Sequence, residues 1–469
     1  MINNLYYVLV LLSTALFFIG LVLLLKKPFF NLATSSVKQL DIILDNSIEE
    51  KEKDKRILRN LNTLLKHLLL NIILIFLLLI CAIFPVLIYS KYKLNVLAET
   101  SSIYFYLAMI FGSFSLLLFR NKTDYSYWSK LLHTIILDNY NLSKYLFERE
   151  IKGFNECNIL STKKPYVIVT GLARAGTTAL TNRLFDKNIF HSISYANVPF
   201  LLAPNSWKRI YNPKSKKKKV RAHGDQVLVS ENSIEALEEY FFKVFLNDNY
   251  IDKSSLKLHN ITQELLIKYY MYQDLFREKK TTYYLAKNNN FLLRYESIME
   301  YDQQFKLILI FRSPLEQARS LLRQHENFLA KQNEDKFVLN YMNWLGHHEF
   351  GNNQKQFSFE NENKVYLDKY DKSELSYWLC VWLNYYTYVI KLLENDNIIL
   401  VHFDDFIKNP DKLMKAIEVS LEIDLTRNSF SHFIPKKYVQ GGTNTVDNNL
   451  LLKANKIYAN LILKKIELN

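Results

Sequence analysis

Long stretches without charge at the start of the chain give way to short apolar runs separated by polar, helix-period segments. Leu5 to Leu25 holds no charged residue, and a helix of that length crosses a hydrocarbon core of roughly 30 Å at 1.5 Å per residue. Leu68 to Tyr89 repeats the pattern, tolerating Cys81 and Pro85, and Ile103 to Phe119 is a third, shorter run whose alternative is a buried helix. A cleaved leader would carry basic residues before its apolar stretch and a small-residue cleavage site after it, whereas here Lys26 and Lys27 follow. The pattern predicts a membrane region over 1–120 with spans at 5–25, 68–89 and 103–119.

Past residue 120 the period changes. Trp128, Leu131, Leu132, Ile135 and Ile136 recur at helical spacing, which predicts a juxtamembrane linker helix within 121–164. Tyr125, Tyr127 and Trp128 suit the headgroup level there, or equally a plain packing helix. From residue 165 onward, Tyr166–Thr170, Lys306–Phe311 and Asn397–His402 read as buried strands, and Tyr283–Asn290 as a short strand entering a helix. Thr177–Asp186, an amphipathic Ser373–Glu394 and a surface tail at Asn449–Leu468 read as helices. Ser233 is a candidate N-cap ahead of an apolar stripe of Ala236, Leu237, Tyr240 and Phe241. Strands alternating with helices predict an α/β domain over 165–469, a parallel sheet flanked by helices.

Charge gives the membrane region a direction. Lys26, Lys27, Lys38, Lys51, Lys53, Lys55, Arg56, Arg59 and Lys66 lie in or beside the 26–67 loop, while the next connection holds only Lys91 and Lys93. The positive-inside rule makes the first loop cytoplasmic. Three crossings then leave the amino terminus outside and the α/β domain in the cytoplasm. Three cysteines, Cys81, Cys157 and Cys380, imply no disulfide framework. They and the ten histidines show no zinc spacing. The net charge of +14 owes much to Lys214, Lys216, Lys217, Lys218, Lys219 and Arg221. That run suits an anionic glycan, lipid headgroups or a solvated loop. It lacks the interleaved aromatics of a nucleic-acid platform, so no nucleic acid is expected.

The candidate chemistry begins where the first strand ends. Gly171-Leu172-Ala173-Arg174-Ala175-Gly176-Thr177-Thr178 is a glycine-bearing turn that opens a helix, and a helix N-terminus offers unpaired amides and a positive dipole end to an anion. The glycine spacing matches a nucleoside-triphosphate loop, but Thr177 stands where that motif needs lysine. Arg174 supplies a fixed charge instead, and Thr177 and Thr178 add hydroxyl donors. A second strand, Lys306–Phe311, is followed by Arg312-Ser313-Pro314 and a helix holding Ser320. Arg312 and Ser320 are placed to share one phosphate.

At this pair the chain resembles the sulfotransferases that use 3′-phosphoadenosine 5′-phosphosulfate (PAPS). Arg174 to Thr178 is similar to that family's 5′-phosphosulfate loop, and Arg312 with Ser320 to its 3′-phosphate motif. The resemblance spans about Lys164 to Gln440. It implies a P-loop-like fold, PAPS as sulfuryl donor and no metal, with Gly171, Arg174, Ala175, Gly176, Thr177, Thr178, Arg312 and Ser320 on the donor. A donor made in the cytosol agrees with a cytoplasmic domain. In the cytosolic members a lysine, and two residues later a catalytic histidine, occupy the stretch similar to Lys287-Asn288-Asn289. Lys287 fits the lysine, and Asn289 replaces the histidine.

The base is therefore sought elsewhere. His223 is favoured, its ordinary pKa lying near working pH, with Asp225, Glu235 or Glu238 as alternatives. Lys436, Lys437, Gly441 and Gly442 loosely match the family's late basic loop. Membrane lipid and a saccharide, glycolipid or lipid-linked acceptor are the expected partners. Asp404 and Asp405, just after a strand, resemble the metal-holding aspartate of triphosphate enzymes, so a P-loop kinase stays open. So does a nucleotide-binding module without turnover.

Overall fold

The computed structural model describes residues 2–90, 103–114, 126–154, 165–186, 188–211, 219–220, 228–229, 233–277, 283–359, 368–425 and 446–468. The chain divides into two compact units, Met1–Leu142 and Ser143–Asn469.

In the first unit α1 (Ile2–Gly20) runs through a π-helical segment, Leu21–Leu25, into α2 (Lys26–Leu44). Pro28 explains the widened turn. It has no amide to donate to residue 24, its ring crowds that carbonyl, and a π turn just upstream absorbs the mismatch. α3 (Glu50–Ser90) returns as one helix of 41 residues, and α4 (Ile103–Ser113) packs against α1 through Tyr6, Val10 and Ala108. Two helices, Tyr6–Leu44 and Glu50–Cys81, are long and apolar enough to cross a membrane. α4 has 11 residues, and residues 115–119 of the expected third span lie outside those described.

The basic loop of 26–67 is a helical hairpin. α2 and the start of α3 lie side by side, pinned where Asn60 Nδ2 donates to Gln39 Oε1 at 2.6 Å and to the Ser35 carbonyl at 3.1 Å. The linker forms two short helices, α5 (Tyr127–Leu137) and α6 (Tyr140–Glu150). The Tyr127 hydroxyl donates to the Lys26 carbonyl, and Trp128 meets Phe29 edge to face at 5.7 Å.

The second unit is built on five parallel strands: β1 (Tyr166–Thr170), β2 (Phe190–His191), β3 (Tyr283–Lys287), β4 (Lys306–Phe311) and β5 (Ile398–His402). Their spatial order is β2-β3-β1-β4-β5. Every residue of β1 is buried, as the unbroken apolar run demands of a strand covered on both faces. On one face Val167, Val169, Ile308 and Ile310 pack with Leu180 and Leu184 of α7 (Thr177–Leu184). On the other, Tyr166 stacks on Phe305 at 5.3 Å and meets Tyr269 edge-on.

Further elements are α8 (Glu239–Leu246), α9 (Pro314–Glu334), α10 (Leu375–Leu392), α11 (Phe403–Lys408), α12 (Pro410–Leu421) and α13 (Asn448–Lys464). Two sequence expectations are corrected. The helix expected from Ser233 starts at Glu239, with no side-chain cap, and the Ser233 carbonyl instead accepts from the Tyr195 amide. Ala236 and Leu237 are buried before the helix begins. α10 is not amphipathic. Fifteen residues, Trp378, Trp382, Tyr385 and Tyr386 among them, are buried, because it lies between the sheet, α9 and α13.

Gly171 (φ +152°) and Gly176 (φ +107°) bracket the turn after β1, and neither site has room for a Cβ. At Gly171 it would lie 2.5 Å from the Ile310 carbonyl oxygen, and at Gly176 2.7 Å from the Phe403 ring. A left-handed non-glycine residue costs on the order of 1–3 kcal/mol before any such clash. Gly176→Ala is expected to lower unfolding free energy by at least that much, as read by denaturant unfolding followed through tryptophan fluorescence.

Candidate functional site

Three strands side by side, β3, β1 and β4, carry candidate residues at their carboxyl ends. Lys287 closes β3, in register with Val169 one residue before the end of β1. β1 runs into the Gly171–Thr178 turn and α7, and β4 ends at Phe311 just before Arg312 and α9. Ligands of open parallel sheets bind outside the carboxyl ends, where neighbouring connections diverge.

The turn is shaped by positive φ angles at Gly171, Arg174 and Gly176. Arg174 adopts a left-handed φ of +68° between the two glycines. The first intrahelical bond of α7 runs from the Leu180 amide to the Gly176 carbonyl at 3.0 Å, so the amides of its first turn have no carbonyl partner within the helix. Arg174 Nε donates to Ser320 Oγ at 3.1 Å, which joins the two motifs that the sequence keeps 146 residues apart. Ser320 is buried on α9.

Arg312 lies between β4 and α9 and turns toward α9. Its guanidinium pairs with Glu316 at 3.0 Å and lies over the Phe403 ring, 4.6 Å from the centroid. Glu316 and Ser320 follow at a four-residue step and so share a face of α9, with Arg312 reaching Glu316 from just before the helix. Phe403 thus carries Arg312 on its ring while its edge closes on Gly176.

Lys287 is buried, and its Nζ donates to Glu235 Oε2 at 2.9 Å. Thr178 Oγ1 reaches the same oxygen at 3.3 Å. Of the base candidates, Glu235 stands beside the turn and Lys287, while His223 and Asp225 lie outside the described residues. Glu238 sits with Asn288, whose Nδ2 donates to it at 3.1 Å, and with Tyr269, whose hydroxyl donates at 2.6 Å. Burial pushes its carboxyl up to about 7 against those hydrogen bonds. Asn289 Nδ2 donates to Glu349 Oε1 at 3.1 Å. Burial raises the Glu349 carboxyl, but the His347 hydrogen bond and charge outweigh it and hold the group at about 2.

Behind these groups, Glu239 and Arg294 form a buried bidentate pair at 2.7 and 2.8 Å. The kinase candidates turn elsewhere: Asp404 pairs with Lys408 at 3.3 Å, and Asp405 with Lys465. Among the described residues no three His, Cys, Asp or Glu side chains gather as a metal site. Most of the basic run at 214–221 and all of Lys436, Lys437, Gly441 and Gly442 lie outside the described residues.

One residue was not singled out from the sequence. Gln317 on α9 is wholly buried, and its Nε2 donates to the carbonyls of Leu172 and Ala173 at 3.1 and 3.0 Å. Its Oε1 accepts from Trp382 Nε1 at 3.1 Å and from the Tyr386 hydroxyl at 3.4 Å. The available signal was an amide three residues before Ser320, beside the apolar Ala318, Leu321 and Leu322.

No family model matches the chain, and no curated protein matches it. Among solved structures it is similar to a sulfotransferase from Alicyclobacillus acidocaldarius, at 13% identity and a TM-score of 0.30, over 64% of this chain and 94% of that one. It is also similar to sulfotransferase STF9 from Mycobacterium avium, at 13% and 0.35 over 72% and 78% of the two chains. A third is sulfotransferase STF1 from Mycobacterium tuberculosis H37Rv, at 13% and 0.32 over 63% and 77%. At these scores the likeness carries no weight for the function of this chain, which is read from the site.

Glu238 makes a pH signature. A carboxyl whose folded pKa lies above its ordinary value of 4.5 binds its proton more tightly in the native state. Its contribution to stability is present below pH 4.5 and is lost as pH rises through about 7. Unfolding at pH 5 and 7.5 should show wild type losing stability relative to Glu238→Gln across that window.

Proposed function

We propose that the second unit is a sulfotransferase that moves a sulfuryl group from PAPS to a hydroxyl or amine, and that the first unit anchors it to a membrane. The observation that carries this reading is the Arg174 to Ser320 hydrogen bond, which makes the turn after β1 and the motif after β4 one basic, donor-rich surface. A nucleotide with anionic groups at both its 5′ and 3′ positions matches such a surface. A triphosphate matches it less well, since Thr177 stands in place of the loop lysine and the Asp404 and Asp405 carboxylates are engaged with Lys408 and Lys465.

In this reading the 5′-phosphosulfate rests on Gly171, Ala175, Gly176 and the amides and hydroxyls of Thr177 and Thr178. Arg174 and Lys287 flank the sulfuryl group, and Arg312 and Ser320 hold the 3′-phosphate. The acceptor oxygen or nitrogen attacks sulfur while the bond from sulfur to the bridging phosphate oxygen breaks in line. Lys287 neutralises that departing oxygen. The acceptor proton passes to a carboxylate, and Glu235 takes this role in preference to His223 because it already accepts from Lys287 and Thr178. Donor binding gives Lys287 a second anion and so loosens its hold on Glu235. No step calls for a metal. A saccharide, glycolipid or lipid-linked acceptor suits an enzyme held at a membrane, with the catalytic unit on the cytoplasmic side and the amino terminus outside.

Calorimetry on the full chain in nanodiscs tests the donor. Adenosine 3′,5′-bisphosphate should bind without magnesium and far better than ATP, and Arg312→Ala should weaken it. Unchanged affinity in that variant removes Arg312 from the site, and tight magnesium-dependent ATP binding replaces the whole reading with a kinase. Removing one group that stabilises transition-state charge commonly costs about 3 kcal/mol, or about a hundredfold in rate. Turnover of radiolabelled PAPS onto a membrane glycolipid extract should fall by that order in Arg174→Ala and Lys287→Ala, and by about a hundredfold or more in Glu235→Gln through loss of the general base.

A further inference from the structure

We infer that Gln317 is the positioning residue that holds the two halves of the donor site at a fixed separation, and that this separation sets the preference for a nucleotide phosphorylated at both 5′ and 3′ positions. The inference rests on the donor reading above. It concerns a side chain that touches neither phosphate.

An amide side chain has two donor hydrogens and two acceptor lone pairs, and Gln317 engages all four. Both hydrogens go to consecutive carbonyls of the turn, Leu172 and Ala173, and the oxygen accepts from two aromatic residues of α10. Each of these aromatics has one hydrogen and shares it with the end of β4, Trp382 Nε1 with the Arg312 carbonyl at 3.1 Å and the Tyr386 hydroxyl with the Ile310 carbonyl at 3.3 Å. One amide thus fastens the 5′ turn to the helix that carries Ser320 and to the two residues that hold the backbone at Ile310 and Arg312.

The fastening has a purpose beyond stability. Two sites that grip one ligand gain over either alone only when the span between them matches the ligand, because the second contact is then made without further loss of freedom. A monophosphate uses one grip and is indifferent to the span. Loosening the tie should therefore weaken the bisphosphate selectively, whereas a purely structural defect would weaken both nucleotides alike.

The test compares adenosine 3′,5′-bisphosphate with adenosine 5′-phosphate by calorimetry on the full chain, in wild type, Gln317→Glu and Gln317→Met. Glu keeps the oxygen that accepts from Trp382 and Tyr386 but loses the donors to the turn. Met keeps the length without burying a charge, and so serves if the Glu variant does not fold. The expected result is a ratio of the two affinities reduced about tenfold, with adenosine 5′-phosphate binding within about twofold of wild type. A ratio left unchanged in a folded variant overturns the inference while the donor reading stands. A wild type that binds both nucleotides equally overturns the donor reading itself, and the inference with it.

Discussion

A parallel sheet buried on both faces has to end, and the backbone groups at its carboxyl ends need partners that are not water. The second unit meets this demand with side chains from the layer above. The Tyr386 hydroxyl serves Ile310, Trp382 serves Arg312, and Gln317 serves Leu172 and Ala173. Because these partners come from α9 and α10, the strand ends are fixed to two long helices. The backbone beneath the candidate site is therefore held by two long helices.

Much of this was legible in the chain. Tyr166–Thr170 and Lys306–Phe311 announce strands covered on both faces, because an unbroken apolar run has no polar side to offer water. The glycines at 171 and 176 mark a turn that has to pass close to Ile310 and Phe403. The N-cap role given to Ser233 failed for a physical reason: Glu238 and Glu239 are held by Tyr269, Asn288 and Arg294, and these long-range bonds outweigh a local capping preference. The period of α10 misled because tryptophan and tyrosine count as half-polar in a pattern, yet Trp382, Tyr385 and Tyr386 are all buried here.

What the pattern could not carry were contacts between distant residues. Glu235 and Lys287 are 52 positions apart, Gln317 and Leu172 are 145 apart, and nothing local to either partner names the other. The same holds for Asn289. The resemblance sets it where that family has a histidine, whereas in the fold it reaches a carboxylate 60 residues on.

The charges fall into two groups that behave differently. Glu239 and Arg294 are sealed from water, and breaking such a pair leaves a buried charge at a cost of about 3–5 kcal/mol, so they are a fixed part of the frame. Arg312 and Glu316 are partly exposed, and a pair of that kind holds with no more than about 1 kcal/mol, so the guanidinium is readily given to a stronger anion. Lys287 and Glu235 lie between these cases, buried but shared with Thr178 at the mouth of the turn. A lysine in that position is held in place yet remains exchangeable. In the proposed reading, an anion arriving on the turn would compete with one carboxylate for it and release that carboxylate next to the reacting group.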